Sequence, residues 1–312
     1  MKKLRLAVIG IGHLGSLHLK TFHELSHKAQ VVAICDILEE RTHQLGGLYQ
    51  VATYTDYRDL LGKVDAVSIC TPTECHYEIG KFFLQNNVHV FIEKPIARTI
   101  DEAQMLNAIA QENGLKLQIG HVERFNSAFQ SIMHFTKRPL FIECHRLNKF
   151  PNRSLDIGVI MDLMIHDIDI ILALNRCPIK EIRATGIPIL TRLEDIASVR
   201  ITFENGCVAN LTASRVSEDV MRKIRIFQKN TYISLDYVNQ EAFIYKKHEH
   251  QILKHSLPIE KEQPLPKELE HFLDCIIDDK VPYVTGKEGA QALKVALQII
   301  DHIWTSRQTI SL

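Results

Sequence analysis

Between residues 4 and 120 the chain alternates short apolar runs with helix-length amphipathic segments. This alternation limits the possible folds more than any other property of the sequence. The runs LRLAVIG, AQVVAICD, VDAVSICTP, VHVFIEKP and LKLQIGH are rich in Val and Ile. They are apolar on both alternations, as strands covered on both faces are. Helical patterns lie between them, at 14–25, 39–48, 57–61, 77–85 and 101–113, and Asn113-Gly114 stops the last. Strands alternating with crossover helices build a parallel, doubly wound sheet.

Beyond residue 123 the pattern changes. One apolar segment, 155–174, has helical length, and β-type runs follow at 181–190, 197–203, 207–216, 223–228, 232–238 and 242–246. Asn205-Gly206 and Lys229-Asn230 sit between neighbouring runs, where hairpin turns belong. The earlier run 140–147 joins the same sheet, and two helical patterns, 266–278 and 287–305, end the chain. The expected fold is α/β in two parts. An N-terminal Rossmann doubly wound parallel sheet spans 1–122, and a C-terminal α+β domain with a large, mostly antiparallel open sheet spans 123–312. A length of 312 residues suits two domains.

Composition removes several classes of function. With 46% hydrophobic residues and Lys plus Arg balancing Asp plus Glu at 37 each, the chain is not of the disordered type. The balanced charge gives no general basic surface for nucleic acid, and no apolar run approaches the roughly 18 residues of a membrane span. The start, Met1-Lys2-Lys3 and an apolar run, is interrupted by Arg5 and runs into a glycine motif, so it reads as a buried first strand and not a signal peptide. The seven cysteines are scattered without a C-x-x-C, which points to free thiols, a cytoplasmic location and no metal site.

The sequence Gly10-Ile11-Gly12-His13-Leu14-Gly15 follows a strand and opens a helix, the context in which G-x-G-x-x-G marks a dinucleotide site. Gly10 serves the turn, Gly12 the approach of a pyrophosphate, and Gly15 the helix–strand contact. The helix N-terminus, with His13 and Leu14, offers N–H groups and a positive dipole end to phosphate. Asp36 stands at the end of the second run, about 20 residues on, where a carboxylate accepts the ribose hydroxyls and repels a 2′-phosphate. That favours NAD. Thr71, Pro72 and His76 follow the third run, at a carboxyl strand end that lines such sites, and are assigned to the cofactor with Glu93 and Lys94.

Glu93-Lys94-Pro95 also closes a strand. A lysine on this rim can hold a substrate hydroxyl and stabilise a developing alkoxide, and a cis proline would fix its direction; an ordinary surface lysine is the alternative. In MDLMIHDID (161–169), Asp162 and His166 lie four residues apart, on one helical face in an apolar segment. An imidazole held by a carboxylate is a natural general base; a buried structural pair fits the same pattern.

These residues resemble the Gfo/Idh/MocA oxidoreductases, NAD(P)-dependent dehydrogenases of sugars and cyclitols, over essentially the whole chain. The resemblance rests on G-x-G-x-x-G at 10–15, on Glu93-Lys94-Pro95 and on Asp162 with His166. It implies that Lys94 and His166 act on the substrate hydroxyl with Asp162 in support, and that the open sheet makes a homodimer or homotetramer. Many members carry glycine where this chain has Met164, a difference expected to alter the pocket wall. The segments GHVERFN (120–126), MDLMIHDIDIIL (161–172) and NGCVANLTASRVS (205–217), with Arg146 in FIECHRL and the later ISLDY (233–237), are most similar to members acting on UDP-N-acetylglucosamine. That similarity implies oxidation of the 3-hydroxyl to a ketone for a PLP aminotransferase of lipid A precursor synthesis. An inositol or simple-sugar dehydrogenase and a non-catalytic NAD(H) sensor are the rivals.

The stretch 137–153 carries Lys137, Arg138, Arg146, Lys149 and Arg153 against Glu143 alone. It fits either a substrate diphosphate, through charge-assisted hydrogen bonds, or a solvated face. Arg146 and Arg153, with Arg124 of GHVERF, are the expected substrate-binding arginines, beside Lys94 and His166.

Overall fold

The computed structural model describes residues 3–150, 157–249 and 251–309. The chain divides into two units, Met1–Val122 with Gln263–Leu293, and Glu123–Glu262 with Lys294–Leu312.

The first unit holds β1 (Leu4–Ile9), α1 (His13–Glu24), β2 (Ala29–Cys35), α2 (Glu39–Tyr49), β3 (Ala52–Tyr54), β4 (Ala66–Ile69), α3 (Thr73–Gln85), β5 (His89–Glu93), α4 (Ile100–Glu112) and β6 (Leu117–Gly120). The strands form a six-stranded sheet in the order β3-β2-β1-β4-β5-β6, parallel throughout. The order reverses between β1 and β4, the switch point at which such sheets bind ligands. Helix α4 starts in a capping box of Thr99 and Glu102. The pattern at 57–61 folds only as a 3₁₀ turn, Tyr57–Leu60, begun by the Asp56 side chain accepting from the Arg58 N–H. Strand β3 has no counterpart in the sequence reading. It is three residues long and incompletely buried, too short to show a period.

A boundary at 122 alone misses one element. Helix α7 (Pro264–Ile277) belongs to the first unit. Its Leu269, Phe272 and Leu273 pack in one cluster with Leu19, Phe22 and Phe91. Lys28 is paired with both Glu270 and Asp274. The physical reason is area: α1 leaves an apolar flank that the first 122 residues do not cover.

The second unit is built on an eight-stranded sheet, β14-β13-β12-β11-β7-β10-β9-β8. In chain order the strands are β7 (Phe141–Leu147), β8 (Ile179–Ile187), β9 (Ile196–Phe203), β10 (Val208–Ser214), β11 (Met221–Gln228), β12 (Thr231–Asp236), β13 (Glu241–His248) and β14 (Gln251–Ser256). All pairings are antiparallel except β7 with β10. Ile142, Cys144, Ile224, Ile226, Ile233, Leu235 and Ile244 are buried, and the residues between them are partly exposed, so one face is core and the other open. Phe141, Phe227, Tyr232 and Tyr245 run across the open face with ring centroids 5.6, 4.7 and 4.8 Å apart. Strand β14 is exposed along its whole length and carries no apolar alternation, which hid it from the sequence. Short α5 (Ser127–Met133), capped by Asn126, was likewise unread. Residues Ile160–Met164 form a π-helical turn that leads into α6 (Ile165–Leu174), and α8 (Gly286–Thr309) ends the described chain.

Phe272 is fully buried against Phe91, 5.7 Å between centroids. Phe272→Ala should therefore destabilise the first unit by about 3–5 kcal/mol, read as a lowered urea midpoint together with weakened NAD binding. A change confined to the second unit would show that α7 has been placed in the wrong half.

Candidate active site

Gly10 closes the turn after β1 with φ +84°, and a Cβ there would lie 2.7 Å from the Thr71 nitrogen. At Gly15 a Cβ would lie 1.8 Å from the Gly10 carbonyl oxygen. At Gly12 it would meet nothing within 4 Å. The turn is thus closed on the protein side and open where a phosphate approaches. Helix α1 begins at His13 with no side-chain cap and no acidic residue in its first turn, so its N–H groups and dipole remain available to an anion. Asp36 is anchored at the end of β2: its Oδ2 accepts from the Ile11 N–H at 2.7 Å and its Oδ1 from the Leu38 N–H at 2.9 Å. Thr71 Oγ1 is buried and has no hydrogen-bond partner among the described residues. An orphaned hydroxyl beside an open glycine turn fits a dinucleotide that supplies the missing partner.

Under this turn His18 of α1 is sealed in the core. Its Nδ1 lies 2.9 Å from Ser68 Oγ, and its Nε2 lies 3.1 Å from Glu93 Oε1, at ion-pair distance but off the line of a hydrogen bond. Burial opposes a charge on the ring. The Cys70 sulfur and the Glu93 carboxylate outweigh it, lifting the pKa from 6.5 to about 10. The other Glu93 oxygen accepts from the Lys94 N–H at 3.2 Å. The Lys94–Pro95 peptide is cis, and Lys94 is partly exposed.

His76 departs from its expected role as a cofactor ligand. It is 1% exposed, with Nδ1 2.8 Å from the Pro95 carbonyl oxygen and Nε2 2.9 Å from that of Thr71. Burial lowers its pKa, against the pull of the two carbonyls. Both ring nitrogens face backbone carbonyls and the neutral ring can donate to only one of them, so His76 joins two rim segments and has no N–H left for a ligand. Glu93, 7% exposed and turned to His18 and the Lys94 N–H, likewise supports the rim.

In the second unit Asp162 falls within the π-helical turn and His166 in the first turn of α6. Both are partly exposed on a segment that is otherwise apolar apart from the buried Asp167 and Asp169. Such turns recur at functional sites. Met164 is fully buried and packs in the core, so the expected change of pocket wall is not where its side chain goes.

The substrate arginines need correction. Arg124 is buried and forks onto Asp169, with Nε to Oδ2 at 2.6 Å and a terminal nitrogen to Oδ1 at 2.9 Å. Arg146 is 2% exposed, bonded to both Asp167 oxygens at 3.0 and 2.8 Å and to Glu123 at 2.7 Å. Its guanidinium also lies 5.7 Å from the Tyr237 ring centroid. Burial opposes the Arg146 charge, and its two carboxylates overcome this and push its pKa well above the ordinary value. Alternation along β7 turns Arg146 to the core, so the basic stretch is not one continuous surface for a diphosphate. Arg153 lies outside the described residues. Two of the three carboxylates that hold these arginines, Asp167 and Asp169, follow His166 in the sequence, and the rule that buried charges are paired was the available signal.

The profile described as "Oxidoreductase family, NAD-binding Rossmann fold" matches residues 4–121, and that of the "GFO/IDH/MocA C-terminal domain" matches 117–233. A UDP-N-acetylglucosamine 3-dehydrogenase of Acidithiobacillus ferrooxidans is 36% identical over 96% of this chain and 97% of its own. The chain belongs to the Gfo/Idh/MocA oxidoreductase family. The solved structure of the Acidithiobacillus enzyme superposes with a TM-score of 0.93 over 98% of this chain and 99% of that one. A scyllo-inositol 2-dehydrogenase (NAD(+)) of Bacillus subtilis is 23% identical over 95% of this chain and 92% of its own. The scyllo-inositol dehydrogenase of Lactobacillus casei, at 19% identity and a TM-score of 0.84 over 98% of each chain, shares the fold. This family member therefore has an NAD-binding half whose glycine turn, Asp36 and Thr71 fit the dinucleotide.

Because the pKa of His18 is raised on folding, its contribution to stability is complete below pH 6.5 and is lost as the pH climbs to about 10. One such group weakens folding by up to about 1.4 kcal/mol per pH unit across that window. Glu93→Gln removes one of the two groups that hold the proton, so its stability deficit in urea should be greatest near neutral pH and shrink toward pH 10. A deficit constant over that range would mean that Glu93 does not help to hold the His18 proton.

Proposed function

We propose that this oxidoreductase oxidises the 3-hydroxyl of UDP-N-acetylglucosamine to a ketone with NAD as acceptor. The observation that carries the proposal is the 36% identity to an enzyme of that activity over almost the whole of both chains, with Lys94, Asp162 and His166 all present. The imidazole of His166 takes the hydroxyl proton, and Asp162 supports the imidazolium that results. The Lys94 ammonium donates a hydrogen bond to the same oxygen and stabilises the charge that develops there. Bound NAD supplies the acceptor for the hydride that leaves the carbon. Asp36 takes the ribose hydroxyls, and Gly10, Gly12, His13, Leu14, Gly15, Thr71 and Pro72 line the path of the cofactor.

The 3-ketone is a ready substrate for a PLP aminotransferase, which places the reaction in lipid A precursor synthesis, in the cytoplasm. No helix among the described residues is long and apolar enough to cross a membrane. The open sheet face joins subunits into a homodimer or homotetramer. Its half-covered aromatic row of Phe141, Phe227, Tyr232 and Tyr245 suits such an interface.

Purified protein with NAD+ and UDP-N-acetylglucosamine, coupled to an aminotransferase and glutamate to draw off the ketone, should produce NADH. Lys94→Ala and His166→Ala should each lower kcat about a hundredfold or more, the scale of positioned acid–base groups, with NAD affinity retained. Turnover of inositol or a free sugar alone would move the chain to the inositol branch, and NAD binding without turnover on any of these would make it a sensor. In light scattering the wild type should exceed the mass of one chain, and Tyr232→Glu should shift it to monomer.

A further inference from the structure

Arg124 and Arg146 are occupied by carboxylates in the core and are not available to an anionic substrate group. Arg222, near the start of β11, stands directly across the strand pair from Arg146. The register places both on the same face of the sheet, the face that carries the buried residues Cys144 and Ile224. The two arginines nevertheless have opposite surroundings. Arg146 is buried and neutralised by Glu123 and Asp167. Arg222 is only partly buried, its Nε is covered and without a hydrogen-bond partner, and no ion pair to its side chain is found among the described residues.

This placement disfavours the charge of Arg222. Burial lowers its pKa first, and the adjoining Arg146 cation lowers it further, while Glu123, Asp167 and Asp162 act in the opposite direction. Glu123 and Asp167 already serve Arg146. Asp162 belongs to the turn that leads to His166 and is near enough to influence Arg222 through its charge. A half-buried guanidinium with no ion pair among the described residues, within the field of Asp162, has donors that an anion would satisfy. Its fork matches two oxygens of a phosphate better than a lysine would.

We propose that Arg222 binds the diphosphate of the nucleotide-sugar substrate and holds the sugar beside Asp162 and His166. This deepens the UDP-sugar reading and rests on it. No motif marks the role, because Arg222 sits outside the basic stretch at 137–153 and in an ordinary strand pattern. The same arginine could instead be a positioning residue that acts only through Asp162, and the two roles separate in kinetics. A diphosphate contact changes the KM of the nucleotide sugar and the affinity for free UDP. A positioning role changes kcat and its pH profile with KM intact.

The test uses the full chain saturated with NADH and titrated with UDP by calorimetry, alongside turnover of UDP-N-acetylglucosamine, for wild type, Arg222→Met and Arg222→Lys. Arg222→Met should weaken UDP binding and raise the KM about tenfold or more, the scale of one charge-assisted contact. NADH affinity should be unchanged and Tm no lower than wild type, because an uncompensated charge has been removed. Arg222→Lys should recover part of the loss. Equal UDP affinity in wild type and Arg222→Met, or a fall in kcat at constant KM, overturns the proposal, as does a wild type that does not bind UDP. A lowered Tm with impaired NADH binding also overturns it, since the residue would then be structural. If UDP binding depends on Arg222 but UDP-N-acetylglucosamine is not oxidised, the diphosphate contact stands and the choice of sugar falls.

Discussion

The approach of Gly15 to the Gly10 carbonyl sets the geometry on which the cofactor half depends. No side-chain atom fits between them, so α1 starts directly on the end of β1 and its open N-terminus faces the phosphate side. The same approach carries the helix one turn further into the sheet, where His18 meets Ser68 of β4 and Glu93 of β5. The opening of the glycine turn and the setting of Lys94 thereby depend on one close contact. The glycine turn, the rim after β4 and the lysine turn after β5 are linked by the buried side chains of His18, Glu93 and His76.

The second unit solves a different problem. The proposed acid–base residues, Asp162 and His166, lie on a segment whose other residues, Asp167 and Asp169 apart, are apolar, and apolar contacts alone fix the register of a helix weakly. Asp167 and Asp169 provide the register by ion pairs to Arg146 and Arg124, and Arg215 pairs with Asp195 in the same buried manner. Buried pairs of this kind add little net stability over apolar residues of the same volume, yet breaking one leaves a costly lone charge. Their effect is to make one helix position far better than its neighbours. Asp162 and His166 are left partly exposed on the same segment.

Much of this was legible in the residues. The apolar runs of the first half and the hairpin signals of the second map onto the two sheets, because strand burial writes itself into side-chain period. What the sequence concealed has physical causes. Strand β14 faces water along its length and β3 is three residues long, so neither has a period to read. Helix α7 is plainly amphipathic, but amphipathicity does not say which apolar face will cover it. The arginines show the limit most clearly: of the basic residues at 137–153 only Arg146 lies in β7, and strand alternation turns it to the core, so a run of charge in sequence is not a charged surface. Arg222 was missed for the converse reason, since its surroundings are assembled from β7, β11 and the π-helical turn.

The return of residues 263–293 to the first unit bears on the order in which the protein is made. The N-terminal half, with Phe22 in α1 and Phe91 in β5, leaves the ribosome first. The residues that cover them, Leu269, Phe272 and Leu273, are synthesised only after the whole second sheet. Until then the nascent NAD-binding half carries an apolar flank into the cell. Its completion is therefore a late event in biosynthesis, although its sequence comes early.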